Sequence, residues 1–364
     1  MARRLVPQQP FNQGFDVGEW LINYQGGFVR RGIFGEILLH LFNLSEPMAG
    51  YVLVSAQVFL YLAIITFLFL FIRSKMYSWS SITLCCSPAV GFFIFNNSGL
   101  TRKELLGLSS LVIISISSKR IEGKFRYLSW SAIFMYGISC FASEINALLL
   151  PSFLYILYTS NRSNLQSINY RIQNIILVLT SFICFGLSVV FHGNSQIVRI
   201  LCLDVVSHGF PKGMCDGSSA IDWLGISVKE VLPILMNQFP LYFGYLPLIF
   251  LAFVPILLTP WFRDNWRWCL ACFVFIAPLY LIALDYGRWT FMLATEITIM
   301  IAATKNAVIN HSFWNRFTVP IFIFGWGIPH WVPSDLSLKS FFFDSSFLYN
   351  FFKVLRFAFQ SLFS

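Results

Sequence analysis

Ten apolar stretches recur along this chain, at 50–72, 80–96, 105–118, 127–143, 145–159, 172–192, 239–259, 267–284, 289–304 and 317–333. A helix needs about 20 apolar residues to cross a bilayer, somewhat fewer where its flanks reach the interface. In hydrocarbon every backbone N–H and C=O must find its partner within the protein, which leaves helices or a closed barrel. The period-two alternation of a barrel strand does not run through these stretches. The sequence therefore predicts an all-α, polytopic transmembrane helical bundle of about 10–11 spans. The aromatic tail 341–363 is the eleventh span or an interfacial helix. Only 11% of residues are charged, against 57% hydrophobic, whereas a soluble domain carries about 25% charge. Residues 1–364 thus read as a single integral membrane domain with no soluble enzyme domain. The sequence contains no GxxxxGK[ST], GxGxxG or HExxH motif.

Basic residues set the orientation. Alternate short loops carry Arg73 and Lys75; Lys119, Arg120, Lys124 and Arg126; Arg162 and Arg171; Arg263 and Arg267; and Lys305 and Arg316. These twelve face only two acids, Glu122 and Asp264, so that side is the cytoplasmic one. The net charge of +9 then reflects loops lying on anionic lipid rather than a nucleic-acid partner. Residues 1–49 fall outside as an external or interfacial segment, although no apolar stretch precedes them. The run 32–42 is too short to span and reads as interfacial; the rival assignment lets 32–48 cross and leaves 1–31 cytoplasmic. Residues 193–238 form one large external loop. Cys202 and Cys215 both lie in it, where an oxidising compartment would allow them to pair. Cys269 and Cys272 are spaced CxxC without a second pair, so no metal site is read there.

With sidedness set, the unusual residues collect on the outer face. The N-terminal segment supplies Asp16, Glu19, Trp20, Arg30 and Arg31, with Gly26, Gly27 and Gly32 around the arginines. The turn before 105 supplies Arg102, Lys103 and Glu104, and the turn at 142–146 supplies Glu144. Arg199, His208 and Trp223 lie in the long loop; Asp285, Arg288 and Trp289 share a tight turn; His330 and Trp331 close the tenth stretch. Taken singly these have plain readings: the arginines as interfacial snorkelers, Asp285 and Arg288 as a local pair, His208 as an ordinary loop residue. Taken together, basic residues held on the side that the charge rule disfavours point to an anionic ligand, and the planar guanidinium suits phosphate. The acids Asp16, Glu19, Glu104, Glu144 and Asp285 are candidates to take or orient a sugar hydroxyl proton. Trp20, Trp223, Trp289 and Trp331 offer faces for stacking on sugar rings. An outward pocket of this composition fits a lipid-linked sugar phosphate, and a lipid pyrophosphate leaving group requires no nucleotide site.

Asn23-Tyr24…Gly27-Phe28-Val29-Arg30-Arg31-Gly32, Arg102-Lys103-Glu104 and Asp285…Gly287-Arg288-Trp289 resemble patterns in the Wzy-type O-antigen repeat-unit polymerases of bacterial surface-polysaccharide assembly. Size, span number, the single large external loop and a composition rich in Phe, Ile, Ser and Asn extend the resemblance over nearly the whole chain. The resemblance implies a GT-C-like fold in the bacterial inner membrane with its active site facing the periplasm. It implies transfer of a growing glycan from one undecaprenyl pyrophosphate to the next lipid-linked repeat unit, as in lipopolysaccharide biosynthesis, with no metal or other cofactor required. Arg30, Arg31, Arg102 and Arg288, with Lys103 and Arg199, would bind pyrophosphate, and Glu104, Glu144 or Asp285 would act as acid or base. A chain-length regulator and a flippase are the partners it implies.

Two other functions stay open on the residues alone. A GT-C glycosyltransferase adding one sugar from a polyprenyl-phosphate donor would use Asp16 with Glu19 as base. A lipid-linked-glycan or ion-coupled transporter would rely on Glu296, a carboxylate in mid-stretch, where charge is costly and faces an interior. Transporters commonly carry internal repeats, and none is visible here.

Overall fold

Hydroxyl and amide caps start several of the helices in the computed structural model, which describes residues 14–46, 48–91, 102–118, 125–162, 165–215, 219–226, 229–230, 232–233, 236–237, 243–282, 285–304, 307–329 and 346. The longer helices are α1 (Gly14–Leu21), α2 (Met48–Ser74), α3 (Trp79–Cys86), α4 (Glu104–Ser118), α5 (Phe125–Ala142), α6 (Leu150–Ser160), α7 (Ile168–Val190), α8 (Ser195–Ser207), α9 (Leu246–Leu257), α10 (Pro260–Ile282), α11 (Tyr286–Ala303) and α12 (Thr318–Phe324). Ser78, Ser167 and Asn194 each accept a hydrogen bond from the backbone N–H three residues on, satisfying donors that a helix start leaves open. Inside α4 the hydroxyls of Ser110 and Ser115 donate to carbonyls one turn back, at 2.9 and 2.6 Å. Small polar residues can thus sit in an apolar helix without orphaned groups and let neighbours approach closely.

The fold is all-helical, with no strand among the described residues. Among the described residues two helices, α2 and α7, are long and apolar enough to cross a membrane. Local chemistry shortens or interrupts others of the apolar stretches. The stretch 80–96 stops as a helix at Cys86 because Ser87 precedes Pro88, and a residue before proline is driven out of helical geometry. Helix α10 is broken at Asn265, whose φ of −122° leaves the helical region, so its regular part starts where the sequence places the stretch from 267. Residues 32–48 do not form a continuous helix. A single turn at Ile33–Gly35 widens into a π-helical turn at Glu36–Leu41, and the chain then breaks, with Asn43 at φ 49°, before α2 begins.

The structure falls into two compact units, 1–64 with 99–231 and 65–98 with 232–364. In the first, α4 packs along α5, and α7 and the 3-10 segment Glu144–Leu149 pack on α5 in turn. The long loop of this unit is not extended chain. Helix α8 and the 3-10 turns Lys212–Cys215 and Asp222–Leu224 bury Leu201, Val205, Met214 and Ile221 against Trp20 and Leu21 of α1. A disulfide joins Cys202 to Cys215 across 5.8 Å between Cα atoms. In the second unit α11 packs against α9 and α10 and is buried on every side along all 18 residues.

Gly35 permits the approach that brings the N-terminal turn onto α1, since a Cβ there would lie 2.1 Å from the Ile22 carbonyl oxygen. Gly186 in α7 has nothing within 4 Å of an added Cβ. Gly35→Ala should therefore lower the thermal unfolding midpoint of the purified protein, by an overpacking cost of about 1–3 kcal/mol. Gly186→Ala should raise it by up to about 1 kcal/mol through helix propensity.

Candidate functional site

Arg31 occupies the left-handed region of backbone space, at φ 68°, a conformation that costs a non-glycine residue of order 1–3 kcal/mol. What holds it there is a set of contacts from three other parts of the first unit. Its guanidinium meets Glu144 as a fork, Nε donating to Oε2 at 2.9 Å and Nη2 to Oε1. Nη1 donates to Oε1 of Glu19 at 3.0 Å. Its main-chain oxygen accepts from Nζ of Lys103 at 2.9 Å. Neighbouring Arg30 reaches Glu144 Oε1 at 3.3 Å through Nη1, and its backbone N–H donates to the Phe191 carbonyl at the end of α7. Arg102, almost wholly buried, lies 3.7 Å from the other Glu19 oxygen.

Asn146 supports this cluster from beneath, donating to the carbonyls of Lys103 and Ser139 at 3.2 and 2.9 Å. It can do so because Gly107 has no Cβ: one there would stand 2.4 Å from Asn146 Oδ1. Burial on its own would raise the Glu144 carboxyl, but the Arg31 fork and the nearby Arg30 outweigh it and hold the group down to about 2. Burial pushes the Lys103 ammonium the other way, to about 7, despite the pull of Glu19. At neutral pH Glu144 is therefore a paired anion, poorly matched to general acid or base work, which needs a pKa near the working pH. Its part is to orient the two arginines.

Beside the cluster lies a small open cleft, about 20 Å³ and so room for roughly one water, lined by Tyr24, Phe28, Arg30, Arg31, Glu144 and Ser188 among others. Arg31 already has carboxylates on its fork. Arg30 is 30% exposed, and its Nε makes no hydrogen bond among the described residues. Of the two arginines it is the more exposed to the cleft.

Of the predicted site residues, Glu19, Arg30, Arg31, Arg102, Lys103 and Glu144 gather in this one cluster, and Glu104 is fully buried at the start of α4 next to it in sequence. Trp20 is a correction. It is 2% exposed, with Lys103 Nζ 5.5 Å from its ring centroid and Phe34 edge-on at 5.1 Å, so its faces are occupied and it packs the core instead of offering a sugar platform. Arg199 is exposed on α8, and Trp223 is half-buried in its 3-10 turn. In the second unit Arg288 and Asp285 pair at 3.2 Å, three residues apart, and the guanidinium lies 5.0 Å from the ring centroid of Trp289. That ring is also buried, at 2% exposure, and so is no open stacking face. Glu296 is fully buried in α11. The side chain of Asp16, and Trp331 with His330, lie outside the described residues.

Sequence reasoning missed one grouping. His40, Asp204 and His208 come together in the first unit, each offering one ligand atom within 4.8 Å of the others. No protein family, curated protein or solved structure matches this chain.

Glu144→Gln keeps the shape but removes the charge that both arginines face. Breaking a buried pair costs about 3–5 kcal/mol, so the unfolding midpoint at pH 7 should fall accordingly. The folded-state carboxyl lies below its ordinary value of 4.5. Its stabilisation, about 3 kcal/mol, is thus present above pH 4.5 and lost as pH falls through about 2. The wild type should show this acid limb in pH-dependent unfolding and the variant should not.

Proposed function

We propose that this protein is a polytopic membrane glycosyltransferase that joins undecaprenyl-pyrophosphate-linked oligosaccharide repeat units into a surface polysaccharide on the outer face of the inner membrane. The observation that carries the reading is the carboxylate-braced pair Arg30–Arg31 at an open cleft, with Arg30 the more exposed of the two. Two guanidiniums held in fixed orientation suit a pyrophosphate: they bind it in the ground state and stabilise the negative charge that grows as the glycosidic bond to the lipid breaks.

A membrane setting is supported by the surfaces of α2 and α7. Only 33% and 28% of their most apolar windows are buried within the protein, and Phe59, Phe182 and Val190 stand well exposed. Apolar helices that turn most of their surface outward suit a hydrocarbon solvent, and soluble monomers rarely present apolar patches of that extent. In this reading the shorter helices also sit at membrane depth, where the serine hydroxyls of α4 bonded to their own carbonyls are well suited. The headgroup is held at the mouth of the cleft, with Arg30 in contact and Arg31 behind it. Orienting acceptor hydroxyl and donor anomeric carbon contributes several kcal/mol. The single-sugar reading is weakened at Glu19, which is buried between Arg31 and Arg102 rather than open to an acceptor. The transporter reading keeps one observation in its favour, the fully buried Glu296 on a helix buried all round.

Deleting the gene should collapse the lipopolysaccharide ladder to core plus one repeat on a gel. Wild type should restore the ladder, as should Glu296→Gln, whereas Arg30→Ala should cut polymer at least tenfold at equal protein level. A persistent ladder with altered mass per repeat would replace block transfer by single-sugar transfer. Failure of Glu296→Gln with full activity of Arg30→Ala would favour transport.

A further inference from the structure

We infer that His40, Asp204 and His208 form a binding site for a divalent d-block cation, zinc being the test ion, which clamps the N-terminal segment to the helical external loop. One ring nitrogen from each histidine and one carboxylate oxygen lie within 4.8 Å of one another, all three side chains being partly buried. The closest pair, His40 Nε2 and Asp204 Oδ2, are 3.2 Å apart. Zinc bonds of 2.0–2.2 Å at tetrahedral angles put ligand atoms about 3.3 Å from each other. One edge of the tetrahedron is therefore set, and the remaining ligand atom, from His208, needs to close by at most about 1.5 Å. Two imidazoles and a carboxylate select zinc, cobalt, nickel or copper over magnesium or calcium.

The surroundings are those of a ligand set held from outside. Asn23, itself buried, donates to Asp204 Oδ2 at 2.8 Å and fixes the carboxylate. His208 Nδ1 lies 2.9 Å from the Asp204 main-chain oxygen at the end of α8, which orients its ring. Outer-shell bonds of this kind position metal ligands. His40 projects from the π-helical turn Glu36–Leu41, where Phe42 N–H bonds to the Ile37 carbonyl five residues back. Such turns are rare and recur at functional sites. The Cys202–Cys215 disulfide begins two residues before Asp204 and ties that part of α8 to the turn Lys212–Cys215. Three protein ligands leave a fourth position for water. The two histidines belong to segments 168 residues apart, so the cation would tie the turn that follows Arg30 and Arg31 to the loop, independently of which lipid-linked reaction the protein performs.

The test uses the full-length, tag-free protein in nanodiscs, stripped with EDTA and titrated at pH 7.5. With Co²⁺, one equivalent should give the visible d–d absorption of a four- or five-coordinate site, and Zn²⁺ should displace it. Calorimetry should find one Zn²⁺ per chain with Kd of about 10 µM or tighter, weakened tenfold or more in His40→Ala and in His208→Ala, and Zn²⁺ should raise the melting midpoint of wild type alone. Absence of the cobalt spectrum in wild type, a measurement that needs no variant to fold, would overturn the site. Zinc binding equally tight in both histidine variants would overturn it as well, leaving His40 and His208 as hydrogen-bonded companions of Asp204.

Discussion

The Arg31–Glu144 fork is the interaction on which the first unit depends. Through one left-handed residue the chain links four separate parts: the guanidinium takes Glu144 at the end of α5 and Glu19 on α1, the carbonyl takes Lys103 before α4, and adjacent Arg30 is fastened to the end of α7. Burying so many charges is expensive. Well-packed apolar side chains of similar volume often serve stability as well or better. The cluster is costly in another respect, because Lys103 is held where burial disfavours its charge. Such a group makes physical sense as a device that sets the orientation of Arg30 and Arg31 and accepts a stability cost for doing so.

The segment that follows α7 contributes to the same end. Helix α8 and its two 3-10 turns supply the apolar floor beneath α1, the disulfide ties α8 to the turn Lys212–Cys215, and Asp204 links the helix to Asn23 and His40 of the N-terminal segment. The second unit is organised differently. Its centre is a helix with no exposed side, carrying Glu296 in its interior and the Asp285–Arg288 pair at its start. The reaction proposed here does not call on the Glu296 carboxylate.

How much of this was legible in the sequence differs by element. The helices lay in the apolar stretches because hydrophobic runs of that length have few other solutions, but their ends depended on local chemistry: Pro88 cut one short, and Asn265 broke another. The arginine cluster was legible because charged residues on the disfavoured side of short turns are conspicuous one by one. Its geometry was not, since whether Glu144 serves as catalyst or brace depends on partners more than 100 residues away. Trp20 and Trp289 illustrate the same limit, as composition marks an aromatic ring and only packing decides whether its faces are free. Residues 193–238 read as a loop because of their polarity, although Asn194 as a cap followed by Ile197, Leu201 and Val205 at helical spacing carried the signal of α8. The His40–Asp204–His208 grouping had only a partial local signature. Asp204 and His208 lie one helical turn apart, and only the folding of the loop onto the N-terminal segment brings His40 to them.

The account's central claim is that Arg30 and Arg31 are oriented to receive the pyrophosphate of a lipid-linked glycan. The most direct measurement is native mass spectrometry of the protein in nanodiscs titrated with undecaprenyl pyrophosphate. Wild type should bind saturably, and Arg30→Ala, checked to be folded by circular dichroism, should bind at least tenfold more weakly. Equal occupancy in wild type and Arg30→Ala across the titration would contradict the claim.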